Sequence, residues 1–375
     1  MASAIDHEMM SRALQLARKG LYTAMPNPRV GCVIVKDGVI VGEGFHERCG
    51  EPHAEVHALE MAGDQAEGAT AYVTLEPCNH FGKTPPCAEA LIKAKVSRVV
   101  AAMEDPNPMV SGLGLKRLSD VGIEVESGVL EAEARALNPG FIKKMESGQP
   151  FVRLKLAMSL DGRTAMASGE SQWITGPAAR SEVQKLRAQS CAVITGVGSI
   201  LHDNSSLTVR AEELGLPDAE KLARRQPLRV VLDSSLQTPV NAKVVTGPGR
   251  ALIVCTDQAE QSRQAELEAA GAEVIRLNAG RQVDLNALMS ELAQRNCQEV
   301  LLETGATLAG SAVSEGLVDE LNIFMAPILM GSEARTLLNL PFQSMSEKLS
   351  LNISDIRAIG DDWLIKATFK QNTDY

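Results

Sequence analysis

The chain has 375 residues, 45% apolar, 22% charged and 3% aromatic, with a formal net charge of −10. That length predicts two domains, and no apolar run approaches the about 20 residues a membrane-spanning helix needs. Residues 1–147 hold 15 Lys and Arg against 20 Asp and Glu, a net −5 that the remainder matches, so neither half has the basic excess of a phosphate-backbone binder. A small, diffusing substrate is expected, with no nucleic-acid or membrane partner. Seven cysteines in no regular framework, and no basic-then-apolar leader, point to a reducing, cytoplasmic setting.

Residues 6–19 read as an amphipathic helix, with Met9, Ala13, Leu16 and Ala17 on one face and Gly20 at its stop. Strands at 30–35 and 39–45 flank Lys36-Asp37-Gly38, a hairpin signal. Pro52 opens a helix through about Ala62, with His53 and Glu55 in its first turn. A buried strand at 71–75 runs into Glu76-Pro77-Cys78, and Pro85-Pro86 opens a helix through about Ala94 with Cys87 in its first turn. A strand at 97–103, a helix at 113–121, a strand at 123–126 and one final helix at 131–145 complete a layered α/β domain with a mixed sheet.

His53, Cys78 and Cys87 with Glu55 form the set a zinc deaminase needs. Zinc takes three protein ligands and keeps a position for water, whose proton it loosens toward neutral pH. A carboxylate that is not a ligand carries that proton to the leaving amino group. The general pattern is His-x-Glu followed by Pro-Cys-x-x-Cys, yet here eight residues separate Cys78 from Cys87. Helix N-termini at 53 and 87 favour thiolate, and an outward loop over 79–84 brings both sulfurs to one metal. His53 and His57 do not make a zinc-protease motif, because Glu55 stands two residues beyond the first His instead of next to it. A closed structural zinc would need a fourth ligand from Cys49, His57 or His80, and it has no use for Glu55. Cys32, inside an apolar strand, reads as a buried small hydrophobe.

A hinge is expected over 140–150, giving domains 1–147 and 148–375. The second half alternates again, with strands at 151–158, 191–195, 228–233, 251–255, 273–277, 298–303 and 320–326. Helices are expected near 177–189, 259–270, 284–295 and 306–316. The size suits a nucleotide, but the Rossmann fingerprint is missing: after Gly196-Val197-Gly198, Leu201 stands where the next glycine belongs. Residues 301–307 form a second strand–turn–helix corner whose helix start suits phosphate. Taken singly, each corner reads as a tight turn.

Three stretches resemble the deaminase half of the bifunctional riboflavin-biosynthesis deaminase/reductase family. They are Pro26-Asn27-Pro28-Arg29-Val30-Gly31, His53-Ala54-Glu55-Val56-His57, and Glu76 to Cys87 with its ending Gly82-Lys83-Thr84-Pro85-Pro86-Cys87. Many relatives have Ser where Asn79 stands. Residues 159–165 and 169–175 resemble the reductase half, and Lys155, Arg187, 202–204, 207–210, Asp233-Ser234 and Glu303 fall in matching contexts. The resemblance covers nearly the whole chain, most weakly at 211–226 and after 340.

The resemblance implies a cytidine-deaminase-like α/β/α first domain and a dihydrofolate-reductase-like α/β second domain. One zinc would be held by His53, Cys78 and Cys87, with Glu55 as proton shuttle and substrate contacts from Asn27, His46, His80, Lys83, Asp105 and Asn107. NADPH would lie against Ala157, Ser171, Trp173, Ser199, Asp203, Ser234 and the turn Gly305, Ala306, Thr307, Leu308, Ala309, Gly310 and Ser311. Several relatives have Gly at the Ala157 position. Lys155, Arg187, Leu207, Arg210 and Glu303 would hold the ribosyl phosphate, the two arginines by bidentate recognition. Hydride delivery to the sugar needs a proton donor, for which Asp203 and Glu303 both stand open.

The implied function is hydrolytic deamination of a phosphorylated diaminopyrimidine, then NADPH-dependent reduction of its ribosyl chain, in a homo-oligomer. Two rivals remain: a cytidine- or adenosine-type deaminase with a non-catalytic second domain, and a zinc-stabilised nucleotide-binding regulator. Both leave residues 161–175 unexplained. NADPH consumption and the number of zinc ligands separate them.

Overall fold

Ser3 and Asp6 close a capping box that starts α1 (Ala4–Arg18), satisfying two otherwise unmet amides reciprocally. The computed structural model describes residues 2–79, 85–108, 110–278 and 280–370. It divides into two compact units, Met1–Gly148 and Gln149–Tyr375.

In the first unit α1 is followed by β1 (Gly31–Lys36), β2 (Val39–Phe45), α2 (Ala54–Ala62), β3 (Thr70–Val73), α3 (Cys87–Lys93) and β4 (Arg98–Ala101). Then come α4 (Leu113–Asp120), β5 (Glu124–Ser127), α5 (Glu131–Leu137) and α6 (Pro139–Ser147). The sheet order is β2-β1-β3-β4-β5, antiparallel around β1 and parallel from β3 to β5. Because strand side chains alternate, Cys32, Ile34, Val73 and Val99 bury one face under α2, α3 and α4. Val33, Val35, Tyr72 and Val100 bury the other under α1, α5 and α6. Asp37 and Gly38, at φ 50° and 79°, supply the left-handed pair of the β1–β2 turn.

Glycine has a definite use in β2. A Cβ at Gly42 would lie 2.1 Å from the Ala58 carbonyl oxygen, and one at Gly44 2.3 Å from that of Ala54. Helix α2 therefore rests directly on the hairpin backbone.

The second unit runs β6 (Phe151–Ser159), β7 (Arg163–Ala165), α7 (Pro177–Ala188), β8 (Ala192–Gly196), α8 (Val197–Asp203), α9 (Ala211–Leu214) and α10 (Ala219–Ala223). It continues through β9 (Leu228–Leu232), α11 (Lys243–Thr246), β10 (Ala251–Cys255), α12 (Gln261–Ala269), β11 (Glu273–Arg276) and α13 (Leu285–Gln294). It ends with β12 (Glu299–Glu303), α14 (Ala306–Ser314), β13 (Glu320–Ala326), β14 (Arg335–Thr336), β15 (Leu351–Ile359) and β16 (Asp362–Phe369). The main sheet has the order β11-β10-β9-β8-β12-β6-β13-β16-β15. It is parallel from β11 to β13 and antiparallel over the last two strands.

Three expectations are corrected. The single helix over 131–145 is two, broken at Asn138, whose φ/ψ of −124°/42° is not helical. Pro139 causes the break, since its ring disfavours helical geometry in the residue before it. His53 is the N-cap of α2, one position before the first turn. The β15–β16 hairpin was not expected at all. Its outer strand is exposed along nearly its whole length, and a register shift between Ile353 and Asp355 breaks the two-residue alternation. The short elements β7, α8, α9, α10, α11 and β14 also lay outside the sequence expectation.

Candidate functional site

His53 stands at the entry to α2 in extended geometry, and Glu55 lies in the first turn, 3% exposed. Cys78 follows the chain out of β3, and Cys87 opens α3. The potential ligand atoms of His53, Cys78 and Cys87 all lie within 4.8 Å of one another. His53 Nδ1 is 3.3 Å from the Cys87 sulfur and 3.7 Å from that of Cys78. The Cys87 amide donates to the Cys78 sulfur at 3.3 Å, and the Ala88 amide to the Cys78 carbonyl at 3.1 Å. Long as the spacing is, α3 folds its first residues back onto the Cys78 turn.

The electrostatics suit a soft dication. The hydrogen bond from Cys87, with that from His53, holds the Cys78 thiol well below its ordinary range. The same bond to Cys78 pushes Cys87 in the opposite direction, and its bond to Cys78 draws His53 upward. Burial, reinforced by the Cys78 sulfur, pushes Glu55 up to about 7. Two thiol sulfurs and one imidazole nitrogen are an established zinc donor set, so these residues fit the metal. Among the described residues no fourth Cys, His, Asp or Glu joins the cluster. Cys32 is fully buried in the core, as a small hydrophobe should be.

Around this cluster, Asn27 Nδ2 lies 3.0 Å from His46 Nε2, and His46 Nδ1 lies 3.1 Å from the Pro52 carbonyl. His46 packs edge-on against His53 with ring centroids 5.2 Å apart, and burial lowers its basicity. Asp105 is nearly buried and accepts from the Asn107 amide at 2.9 Å. His80 and Lys83 lie outside the described residues. Glu76, which the sequence reading passed over, is 3% exposed and accepts four backbone amides. Its signal was a carboxylate placed immediately before Pro77-Cys78.

In the second unit, β6 and β12 pair in parallel with Lys155 opposite Glu303. Arg187, on α7, meets Glu303 in a two-bonded pair and donates to the Thr208 carbonyl at 3.0 Å. Burial alone would raise the Glu303 carboxyl, but Arg187, Lys155 and Arg210 outweigh it and hold it low. Burial, with Arg187 adding to it, lowers Lys155 against the pull of Glu303. Arg210 pairs with Glu213 at 2.9 Å, and its buried Nε has no partner among the described residues. Leu207 is buried, at φ 56°.

The two corners singled out in the sequence sit on adjacent parallel strands. Gly196 caps α8 after β8, and Gly305 caps α14 after β12. A Cβ at Gly196 would contact Leu308 and Thr304 at 3.6 and 3.7 Å, so the corners abut. Two helix N-termini thus stand side by side at the carboxyl edge of the parallel sheet, with their first-turn amides lacking intrahelical partners. Ser199 and Asp203 lie on α8, and Ala306 to Ser311 lie on α14. Ser234 follows β9, Ala157 lies on β6, and Ser171 lies in the segment before α7. Trp173 is 67% exposed and carries the Arg180 guanidinium 4.6 Å from its ring.

The first unit thus has the ligand set of a zinc-dependent deaminase, and the second is a nucleotide-sized α/β unit built on a largely parallel sheet. Residues 3–103 match the cytidine and deoxycytidylate deaminase zinc-binding region, and residues 150–365 match the RibD C-terminal domain. The riboflavin biosynthesis protein RibD of Escherichia coli (strain K12) is 51% identical over 364 residues, covering 95% of this chain and 97% of its own. The structure of Acinetobacter baumannii RibD, form 1, superposes with a TM-score of 0.90 at 46% identity, over 98% of this chain and 99% of that one. A Thermotoga maritima structure described as a diaminohydroxyphosphoribosylaminopyrimidine deaminase/5-amino-6-(5-phosphoribosylamino)uracil reductase gives 0.84 at 32% identity, with coverage of 98% and 99%. The chain belongs to the RibD family of bifunctional riboflavin-biosynthesis deaminase/reductases. Its cofactors are zinc for the deaminase and NADPH for the reductase. No helix among the described residues is long and apolar enough to cross a membrane.

Proposed function

We propose that residues 1–147 hydrolytically deaminate 2,5-diamino-6-ribosylamino-4(3H)-pyrimidinone 5′-phosphate, and that residues 148–375 reduce the ribosyl chain of the product to ribityl. The convergence of His53, Cys78 and Cys87 beside the buried carboxylate of Glu55 carries the first half of this reading. These three residues hold zinc, which when bound supplies an activated water to the ring. Glu55 takes the proton of the attacking water and delivers it to the leaving amino nitrogen. Asn27, His46, Asp105 and Asn107 orient the pyrimidine, and His80 and Lys83 belong to the same substrate set.

In the reductase, NADPH supplies hydride from the crevice of Ala157, Ser171, Trp173, Ser199, Asp203, Ser234 and Gly305 to Ser311. Lys155, Arg187, Leu207, Arg210 and Glu303 hold the ribosyl phosphate. Asp203 and Glu303 are the two carboxyls of this set that can protonate the sugar ring oxygen. The purified protein, given the diaminopyrimidine, should release ammonia and then oxidise NADPH. Ammonia release without NADPH oxidation would favour the deaminase with a non-catalytic partner domain.

The enzyme works in the cytoplasm, a reading supported by seven free cysteines. It is a homo-oligomer, a reading supported by the outer hairpin. Ile353, Ile356 and Trp363 are 58%, 55% and 43% exposed and, by their pairing register, share one sheet face. An apolar sheet face of this kind suits a second copy. Light scattering should give more than one chain per particle, and Ile353→Lys with Ile356→Lys should return the monomer.

A further inference from the structure

We infer that Glu76 is a positioning residue of the deaminase, fixing the Cys78 turn and the Asp105–Asn107 turn against the start of α4. The inference rests on the deaminase reading above. Oε1 of Glu76 accepts from the amides of Gly114 at 2.8 Å and Leu115 at 3.2 Å. Oε2 accepts from those of Asp105 at 3.0 Å and Gly112 at 2.9 Å. Four donors converge on one side chain, and only a carboxylate has two accepting oxygens to meet them. A glutamine would turn its NH2 group toward two of the four.

Three segments meet at this point. The first is the chain leaving β3, where the Glu76 amide bonds the Met103 carbonyl at 3.0 Å two residues before Cys78. The second is the turn through Asp105, which itself accepts from Asn107. The third is the first turn of α4, whose amides have no partners within the helix and whose dipole favours an anion. Contact there is as close as backbone allows: a Cβ at Gly114 would lie 1.9 Å from the Pro77 carbonyl oxygen. The Cys78 turn is thus clamped between α3, through the Ala88 amide, and α4, through Glu76. A residue in this place touches neither metal nor substrate, yet sets where a ligand sulfur and a substrate turn stand relative to each other.

The test uses the full chain, with zinc affinity measured by competition against a chelator and deamination resolved into KM and kcat. Wild type must first bind zinc and release ammonia; failure there overturns the deaminase reading and this inference with it. Glu76→Gln should then lower zinc affinity by about 10–100-fold, the usual cost of losing a partner that orients a ligand. It should also raise KM for deamination while NADPH oxidation on the deaminated intermediate is unchanged. Glu76→Asp keeps both oxygens on a shorter arm and should recover part of each loss. Asp6→Asn, remote from the site, serves as the stability control and should lower the unfolding midpoint without touching zinc affinity or KM. Unaltered zinc affinity and KM in Glu76→Gln would overturn the inference, as would losses no larger than those of the control at equal destabilisation. If neither Glu76 variant folds, Glu76 is a folding residue and the inference falls.

Discussion

Arg187 and Glu303 meet side-on, Nε to Oε1 at 2.6 Å and Nη2 to Oε2 at 2.9 Å, with side chains only 12% and 9% exposed. Lys155 stands opposite Glu303 in register, so one carboxylate answers two partly buried cations. Glu303→Gln leaves those cations facing each other and should cost about 3–5 kcal/mol in urea unfolding, with loss of NADPH oxidation. Pairing it with Arg187→Met should recover part of the stability, because the orphaned charge is the expensive part.

Glu55→Gln keeps the shape of the carboxylate and removes its capacity to take a proton. Ammonia release should fall by about 10²–10⁴-fold, the usual share of a general acid–base group. Zinc content by elemental analysis and NADPH oxidation should stay at wild-type levels. Deamination persisting in this variant would sink the assigned role.

Acid should loosen the first unit through Asp6. Arg98 first, then Ser3 and Tyr72, hold the Asp6 carboxyl well below the ordinary carboxylate range. A carboxyl depressed in the folded state contributes stability that is present above the ordinary pKa of about 3.9 and is lost as pH falls through the folded value. Hydrogen exchange along α1 should therefore speed up below about pH 4. Asp6→Asn should lose roughly 1–3 kcal/mol at neutral pH and show a flatter acid response.

Stripping zinc should separate the two activities. A chelator that empties the first unit should abolish ammonia release, while NADPH oxidation on the deaminated intermediate continues. Restored zinc should restore deamination. Cys78→Ser replaces a soft ligand with a hard one and should reproduce the stripped state without any chelator.

Much of the metal cluster was legible because its information is local. Pro-led helix starts and a strand end place His53, Cys78 and Cys87 without long-range knowledge, and the Asp37-Gly38 turn fixes the hairpin beside them. Beyond its place before Pro77-Cys78, the role of Glu76 was not legible, because its four partners come from residues 105–115, which no short-range rule joins to it. The break at Asn138 lay in plain sight as a residue before proline, overridden by apolar periodicity that runs through both helices. In the second unit, β12 and α14 read easily as a strand and a helix. That the Gly196 and Gly305 corners abut follows only from β8 and β12 being neighbours in the sheet. The outermost strand, β15, escaped because it buries little, and patterns in sequence are patterns of burial.

The bare contact between α2 and the glycines of β2 bears on how the deaminase tolerates change. Ala54 and Ala58 touch main chain with no side-chain layer between, so this wall has nothing that can repack. Most of a protein absorbs neutral drift by exchanging one core residue for another of similar bulk. Behind His53 and Glu55 that route is closed: any carbon added at Gly42 or Gly44 moves the helix that bears both. Bulk added to the floor beneath the metal cluster is therefore transmitted to His53 and Glu55 as a displacement of α2.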